Sequence, residues 1–334
     1  MRIIVPMAGR GSRLRPQTHT VPKPLLPLAG QTLVQRIVRE VAQAVAEPIE
    51  RVSFVSGRFG DQALAELARA AQAVGAQHSV HYQDEPLGTA HAILQAADDL
   101  EGPVVVAFAD TLFHAEFQLD LSHEASIWVQ QVEDPSAYGV VRLDAEGYVQ
   151  GFVEKPREFV SDLAIIGIYY FRDGQALARA LKLLVESGRS VKGEFLLTDA
   201  LEDLRLSGTR FATSRVSRWM DCGNADAVLR THAELFATWP AESWVSPDSQ
   251  LHDAVIVPPV RVEAGAVLRR SVVGPNVSIG AGTVVEDSIL ADCIIQDASV
   301  IRGQNLRHSM IGSRVRLEAR PHALNLGDDS QANS

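Results

Sequence analysis

The sequence predicts two architectures in one chain: an α/β domain on a mainly parallel, mixed sheet, then a short parallel β-helix. Two observations predict this. Through about residue 235, short apolar runs alternate with amphipathic helical stretches, as an α/β domain requires. Beyond residue 250, aliphatic residues recur nearly every six positions with glycines and small residues between them, as in SIGAGTVVEDS. Hairpin strands would alternate every two residues and show turn pairs instead. At 334 residues and 46% apolar content, the chain has material for two cores.

The elements follow in order. Residues 3–5 read as a buried strand. Thr32 can cap a helix whose Leu33, Val34, Ile37, Val38, Val41 and Val45 share one face. A strand is expected at 52–55, a helix at 62–74, a strand at 80–83 and a helix at 89–97. Residues 104–109 are wholly apolar, the mark of a strand buried on both faces. Strands at 126–132, 140–143, 148–153 and 164–171 mix with helices at 175–186 and 194–206, and a helix at 225–237 closes the domain. The expected divisions are a first domain at 1–240, a linker at 241–250, the β-helix at 251–317 and a polar, largely disordered tail at 318–334. In the repeat, Val262 and Leu268, then Val273, Ile279 and Val285, then Ile295 and Ile301 should point inward. The spacing slips at 268–273 and 285–295, which predicts irregular loops at one or two corners.

A net charge of −10 and the lack of any long Lys/Arg run argue against nucleic acid as a partner. An anionic ligand must be met by a few locally placed cations. Cys222 and Cys293 lie far apart with no metal-ligand spacing, so both read as buried, reduced thiols. The apolar run 3–5 stops at Pro6, unlike a signal peptide, and no apolar stretch approaches the roughly 20 residues that span a bilayer. A cytoplasmic protein with no membrane partner is expected.

Cations, glycines and prolines gather directly after the first strand, in Gly9-Arg10-Gly11-Ser12-Arg13 and onward to Pro22-Lys23-Pro24. A dinucleotide fingerprint would need glycine where Leu14 stands, and the lysine-containing P-loop pattern is absent. A flexible turn with solvated arginines is the bland alternative, but the signal runs on too long for it. Glycines let backbone N–H groups approach an anion. Arg13 offers a planar fork, and Lys23 a point charge held between two prolines. The stretch reads as a polyphosphate site.

The same stretch resembles the N-terminal signature of sugar-1-phosphate nucleotidylyltransferases, G-G-x-G-[ST]-R-L-x-P-x-T followed by P-K-P-L. QDEPLGTAHAI looks like the family's base segment, VVVAFAD like its metal strand, and YGVV and FVEKP like its sugar-phosphate segments. EFLLTDAL and WMDCGN match further landmarks. The resemblance implies a Rossmann-like nucleotidyltransferase domain and, as in long-form glucose-1-phosphate thymidylyltransferases, a left-handed β-helix after it. It implies attack by a sugar-1-phosphate oxygen on the α-phosphorus of a nucleoside triphosphate, with pyrophosphate leaving. dTTP and glucose 1-phosphate are the expected pair. UTP- or GTP-dependent transfer is the alternative within the class, and a silent nucleotide-sugar-binding regulatory subunit the alternative outside it.

By that resemblance, Arg13, Lys23, Asp110 and Asp221 are the catalytic residues, and Asp110 and Asp221 hold Mg²⁺. Ala8, Gly9, Gly11, Ser12, Arg13, Gln83, Gly88 and Thr89 fall in nucleotide-binding segments. Gly139, Glu154 and Lys155 fall in sugar-phosphate segments. Without the resemblance, Glu154 and Lys155 would read as an exposed charge pair. Two departures stand out. Pro6-Met7-Ala8-Gly9 replaces the family's frequent L-A-G-G, and apolar Leu163 to Gly167 replaces common polar sugar contacts. The reaction needs no protein base, so His91 reads as packed or surface. An acetyl-transferring β-helix would need more than the three to four coils expected here, with His252, His308 and His322 its candidate bases. The β-helix is therefore assigned to homo-oligomerisation or rigidity.

Overall fold

The computed structural model describes residues 1–9, 11–116, 118–156, 158–238 and 244–319. Two compact units divide it, Met1–Thr231 and His232–Ser334. In the first, β1 (Arg2–Pro6), β4 (Arg51–Ser56), β5 (Gln77–Tyr82) and β6 (Val104–Ala107) form the parallel centre of a nine-stranded sheet. A small hairpin, β2 (Pro27–Leu28) and β3 (Gln31–Thr32), lies between β1 and the first helix. The sheet turns antiparallel at β11 (Leu163–Phe171), which pairs with β6, with β8 (Ala125–Gln131) and with β9 (Gly139–Leu143). Beyond these lie β10 (Val149–Glu154) on β9 and β12 (Phe211–Arg215), parallel to β8. A separate two-stranded ladder joins β7 (Thr111–His114) to β13 (Arg218–Asp221).

Helices cover the sheet because their apolar stripes need a partner. α1 (Leu33–Ala44) starts in a reciprocal capping box, with Thr32 Oγ1 accepting from the Gln35 N–H and Gln35 Oε1 accepting from the Thr32 N–H. α2 (Asp61–Gln72) packs on β4 and β5. α3 (Thr89–Leu94), α4 (Gly174–Glu186) and α5 (Leu197–Leu206) bury Ile93, Leu177, Leu181 and Leu201 in one core with Ile4, Val104 and Val106. α6 (Ala225–Ala237) closes the series. Several elements depart from the expected bounds; α2 ends at Gln72 and α3 at Leu94, two and three residues early. The 104–109 strand stops at Ala107, because the Phe108 N–H turns to the Gly167 carbonyl. The 194–206 helix starts only at Leu197, because Phe195 is spent on main-chain bonds to Leu87 and Ala90.

In the second unit every strand pair is parallel. One sheet stacks five strands, from Gln250–His252 through Val267–Arg269, Val284–Glu286 and Val300–Arg302 to Arg316–Glu318. Val262, Leu268, Val273, Ile279, Val285, Ile295 and Ile301 fill the interior, as expected. This is a curled parallel β-helix consistent with the left-handed form.

The slips in spacing are not loops. Leu290 is also interior, so sides of six residues are mixed with sides of five. Pairing steps fall from 17 residues (Val262 to Ile279) to 16 (Val285 to Ile301). A five-residue side bends through a single left-handed residue, as at Arg270, Asp287 and Asp292. Six-residue sides use a two-residue turn such as Ala264-Gly265. Five strands stack on one face, so four coil steps separate the first from the last, within the three to four coils expected. Residues 241–243 of the expected linker, His322 and residues 320–334 of the expected tail lie outside the described residues.

Candidate active site

Parallel α/β sheets bind ligands beyond the carboxyl ends of their strands. Here the chain leaving β1 at Pro6 forms a loop across that edge. The Met7 N–H donates to the Val55 carbonyl, which extends the strand by one bond before the loop departs. Gly11 has φ +56°, and a Cβ there would stand 3.2 Å from Lys23 Cβ and Thr18 Cγ2. Thr18 Oγ1 donates to the Gly11 carbonyl at 2.7 Å, folding the loop back on itself. Only glycine fits this bend without displacing the lysine behind it.

Lys23 is buried, with 9% of its surface exposed, and its Nζ donates to the Asp110 carbonyl at 2.8 Å. Burial lowers its pKa, while the nearby Asp110 and Asp221 carboxylates oppose the shift. The next segment is tied down from α1. The Arg36 guanidinium, itself buried, donates to the carbonyls of Leu28 and Ala29 at 2.8 and 3.0 Å.

The loop bounds a cavity of about 360 Å³. Ala8, Gly9, Gly11, Ser12 and Arg13 line one side, with Lys23 and Asp110. Gln83, Gly88 and Thr89 also line it. Gly88 has φ +102°, and a Cβ there would meet the Phe195 carbonyl oxygen at 2.5 Å. The segment is stitched to the chain before α5: Phe195 N–H to Leu87, Ala90 N–H to Phe195, and Leu197 N–H to Thr89 Oγ1 at 2.9 Å.

A second cavity of about 420 Å³ adjoins it, sharing Arg13, Thr89, Phe108, Asp110 and Glu194. Gly139, Glu154 and Lys155 line this lobe. Gly139 and Glu154 face each other across the β9–β10 ladder, and a Cβ on Gly139 would stand 3.0 Å from Glu154 Oε2. Lys155 sits at φ +44° with its N–H on the Tyr138 carbonyl. Its Nζ lies 3.5 Å from Glu154 Oε1 and remains largely exposed.

Asp110 and Asp221 arrive from opposite strands of the β7–β13 ladder. Asp221 pairs with Thr111, the residue after Asp110. Thr111 Oγ1 donates to the Met220 carbonyl and Thr231 Oγ1 to the Asp221 carbonyl. Asp221 Oδ1 accepts the Gly223 N–H at 2.7 Å. Both carboxylates are exposed and line the second lobe. Two carboxylates offer oxygen donors for only part of a shell, which suits a hard divalent ion that keeps water and phosphate oxygens as its other ligands. Among the described residues no cluster of three or more such ligands occurs. Cys222, fully buried beside them, has its pKa pushed up to about 12 by desolvation, so it stays a thiol; Cys293 is likewise buried and free.

Tyr138, Thr198 and Trp219, which lie in the YGVV, EFLLTDAL and WMDCGN segments without an individual role in the sequence, also line this lobe. Tyr138 packs edge-on against Trp219, with ring centroids 4.8 Å apart. Thr198 Oγ1 and Trp219 Nε1 are buried without a hydrogen-bond partner among the described residues. Buried polar atoms are normally paired, so two unpaired ones beside the same lobe stand out. The apolar Ile165 and Ile166 form the facing wall.

Residues 3–237 match the nucleotidyl transferase family model. The glucose-1-phosphate thymidylyltransferase of Streptomyces griseus is 31% identical over 360 residues, covering 99% of both chains. That of Streptomyces antibioticus is 28% identical over 361 residues, again covering 99% of both. A solved structure of UDP-glucose pyrophosphorylase complexed with UDP-glucose matches with TM-score 0.60 at 24% identity, over 71% of this chain and 99% of that one. No helix among the described residues is long and apolar enough to cross a membrane.

Proposed function

The chain belongs to the nucleotidyl transferase family, and from that premise we propose that it joins a nucleoside triphosphate to a sugar 1-phosphate and releases pyrophosphate. The preferred pair is dTTP and glucose 1-phosphate, the substrate named for relatives that align along the whole chain. One observation carries the reading: a glycine- and cation-rich lobe and a carboxylate-bearing lobe meet at Arg13 and Asp110. Two anions must meet there, so positioning and charge neutralisation dominate the chemistry.

In this reading the loop N–H groups and Arg13 hold the triphosphate, and Lys23 directs its charge at the α-phosphate. Gln83 and the Gly88 segment hold the base. Lys155 meets the sugar phosphate and Glu154 the sugar hydroxyls. A phosphate oxygen of the sugar attacks the α-phosphorus, and the bond to the β-phosphate oxygen breaks. Asp110 and Asp221 would hold a divalent ion, Mg²⁺ in this reading, which when bound neutralises charge on the α-phosphate. The β-helix serves self-association and takes no part in the transfer.

Pyrophosphate release over a matrix of triphosphates and sugar 1-phosphates tests this. dTTP with glucose 1-phosphate should lead, with UTP close behind because a 5-methyl group and a 2′-hydroxyl discriminate weakly. A strong preference for GTP would contradict the thymidylyl assignment. Absence of pyrophosphate from every pair would contradict the reaction itself.

A further inference from the structure

Thr89 stands where the two lobes meet and lines both of them. The sequence places it in the nucleotide segment, yet its hydroxyl is bonded to the sugar side. Thr89 Oγ1 accepts the Leu197 N–H at 2.9 Å, across a separation of 108 residues. Leu197 is the first residue of α5, and Leu196 before it makes no side-chain cap. The first N–H groups of a helix have no partner within it and normally take one from a capping side chain. Thr89 therefore supplies, from the start of α3, the cap that α5 lacks in its own sequence.

The other ties between the two segments stop short of the helix. The Phe195 N–H donates to the Leu87 carbonyl and the Ala90 N–H to the Phe195 carbonyl, so both bonds end at Phe195. Leu196 follows in extended backbone, at φ −86° and ψ 138°, and the chain turns helical beyond it. The bend thus has main-chain bonds before it and Thr89 Oγ1 after it. Burial of Leu197 and Leu201 holds the body of the helix but gives its first N–H no partner. Thr89 is the contact that sets the direction in which α5 leaves the bend.

That direction matters to the sugar lobe, because Leu196, Leu197 and Thr198 all line it. Thr198 Cγ2 lies 3.8 Å from where a Cβ on Gly139 would stand, and Glu154 Oε2 lies 3.0 Å from the same point. We propose that Thr89 is a positioning residue for the sugar 1-phosphate: by accepting from Leu197 it sets the first turn of α5 against the Gly139–Glu154 corner. A residue of the nucleotide segment thereby acts on the other substrate. The inference rests on the nucleotidyl-transfer reading above and adds to it a tie between the two lobes.

The experiment measures KM for glucose 1-phosphate and for dTTP in wild type, Thr89→Val and Thr89→Ser. Valine keeps the size and branching of threonine and removes the acceptor. Thr89→Val should raise the KM for glucose 1-phosphate by about five- to tenfold, as the loss of one capping bond implies, and that for dTTP by less than about twofold. Thr89→Ser keeps the acceptor and should restore both values. A rise for dTTP instead would make Thr89 a nucleotide contact alone, and a fall in kcat with both KM values kept would make its role structural; either result overturns the proposal. Amide hydrogen exchange at Leu197 in the full-length chain tests the tie without turnover. Exchange should quicken by about tenfold in Thr89→Val and stay slow in Thr89→Ser, and equal rates in all three proteins would overturn the proposal. Lack of pyrophosphate from every substrate pair would instead bring down the reaction assignment, leaving the exchange at Leu197 to judge Thr89.

Discussion

The two lobes of the cleft are built by opposite means. The nucleotide lobe draws its largest share from one stretch, between β1 and α1, with glycines, prolines and a lysine held by main-chain geometry. The sugar lobe collects single side chains from β9, β10, β11, α5 and β13, which lie up to about eighty residues apart. A phosphate chain is recognised by N–H groups and cations, which a short loop can supply. A sugar ring needs hydroxyl partners around its circumference, and no single segment can surround it. The difference predicts that changes in one lobe should leave the affinity of the other nearly untouched. Changes at the shared border should damage turnover itself.

The border gives the largest effect. Asp110→Asn should keep the fold, since its tie to Lys23 uses the main-chain carbonyl, and should lower kcat by about a thousandfold. Thermal unfolding beside steady-state kinetics checks both halves; near-normal turnover would remove Asp110 from the chemistry. Lys23→Met should follow, with a loss of about a hundredfold in kcat. In its case the melting temperature reads the competing costs of a buried ammonium and an unpaired Asp110 carbonyl, and a small shift is expected.

Gln83→Ala should cost about ten- to a hundredfold in kcat/KM for dTTP and UTP alike, with the KM for glucose 1-phosphate unchanged. A silent Gln83→Ala would contradict the placement of the base. Thr198→Val should act in the mirror sense, raising the KM for the sugar phosphate by about five- to tenfold and leaving that for dTTP alone. Equal effects on both substrates would break the division into lobes. The smallest effect on chemistry belongs to the β-helix. Ending the chain near residue 245 should lower the oligomeric state in light scattering while keeping most of the activity, and loss of activity in a folded truncation would tie the repeats to the site.

The same contrast explains what the sequence could reveal. Gly11, Arg13 and Lys23 were legible from composition, because backbone-built phosphate sites demand unusual residues in one place. Glu154 and Lys155 look like a surface pair in isolation and gained a role only from the resemblance. Thr198 and Trp219 lie in EFLLTDAL and WMDCGN, yet nothing singled them out there, since a buried threonine or tryptophan signals packing until its polar atom is seen unpaired. His91 reads as packed or surface, and it is half-buried beside Gln83, a neighbour brought to it by the turn at Gly88. In the β-helix the period of six was readable. Leu290 was hidden because Asp287 and Asp292 turn left-handed and shorten the sides on either side of it.

The central claim is that the lobes meet so that a sugar phosphate captures the α-phosphorus. Incubation with glucose 1-phosphate and dTTP labelled at the α-phosphorus tests it directly. All label consumed should appear in a nucleotide sugar, with one unlabelled pyrophosphate released for each sugar phosphate used. Label appearing as dTMP at a rate independent of the sugar phosphate would contradict it.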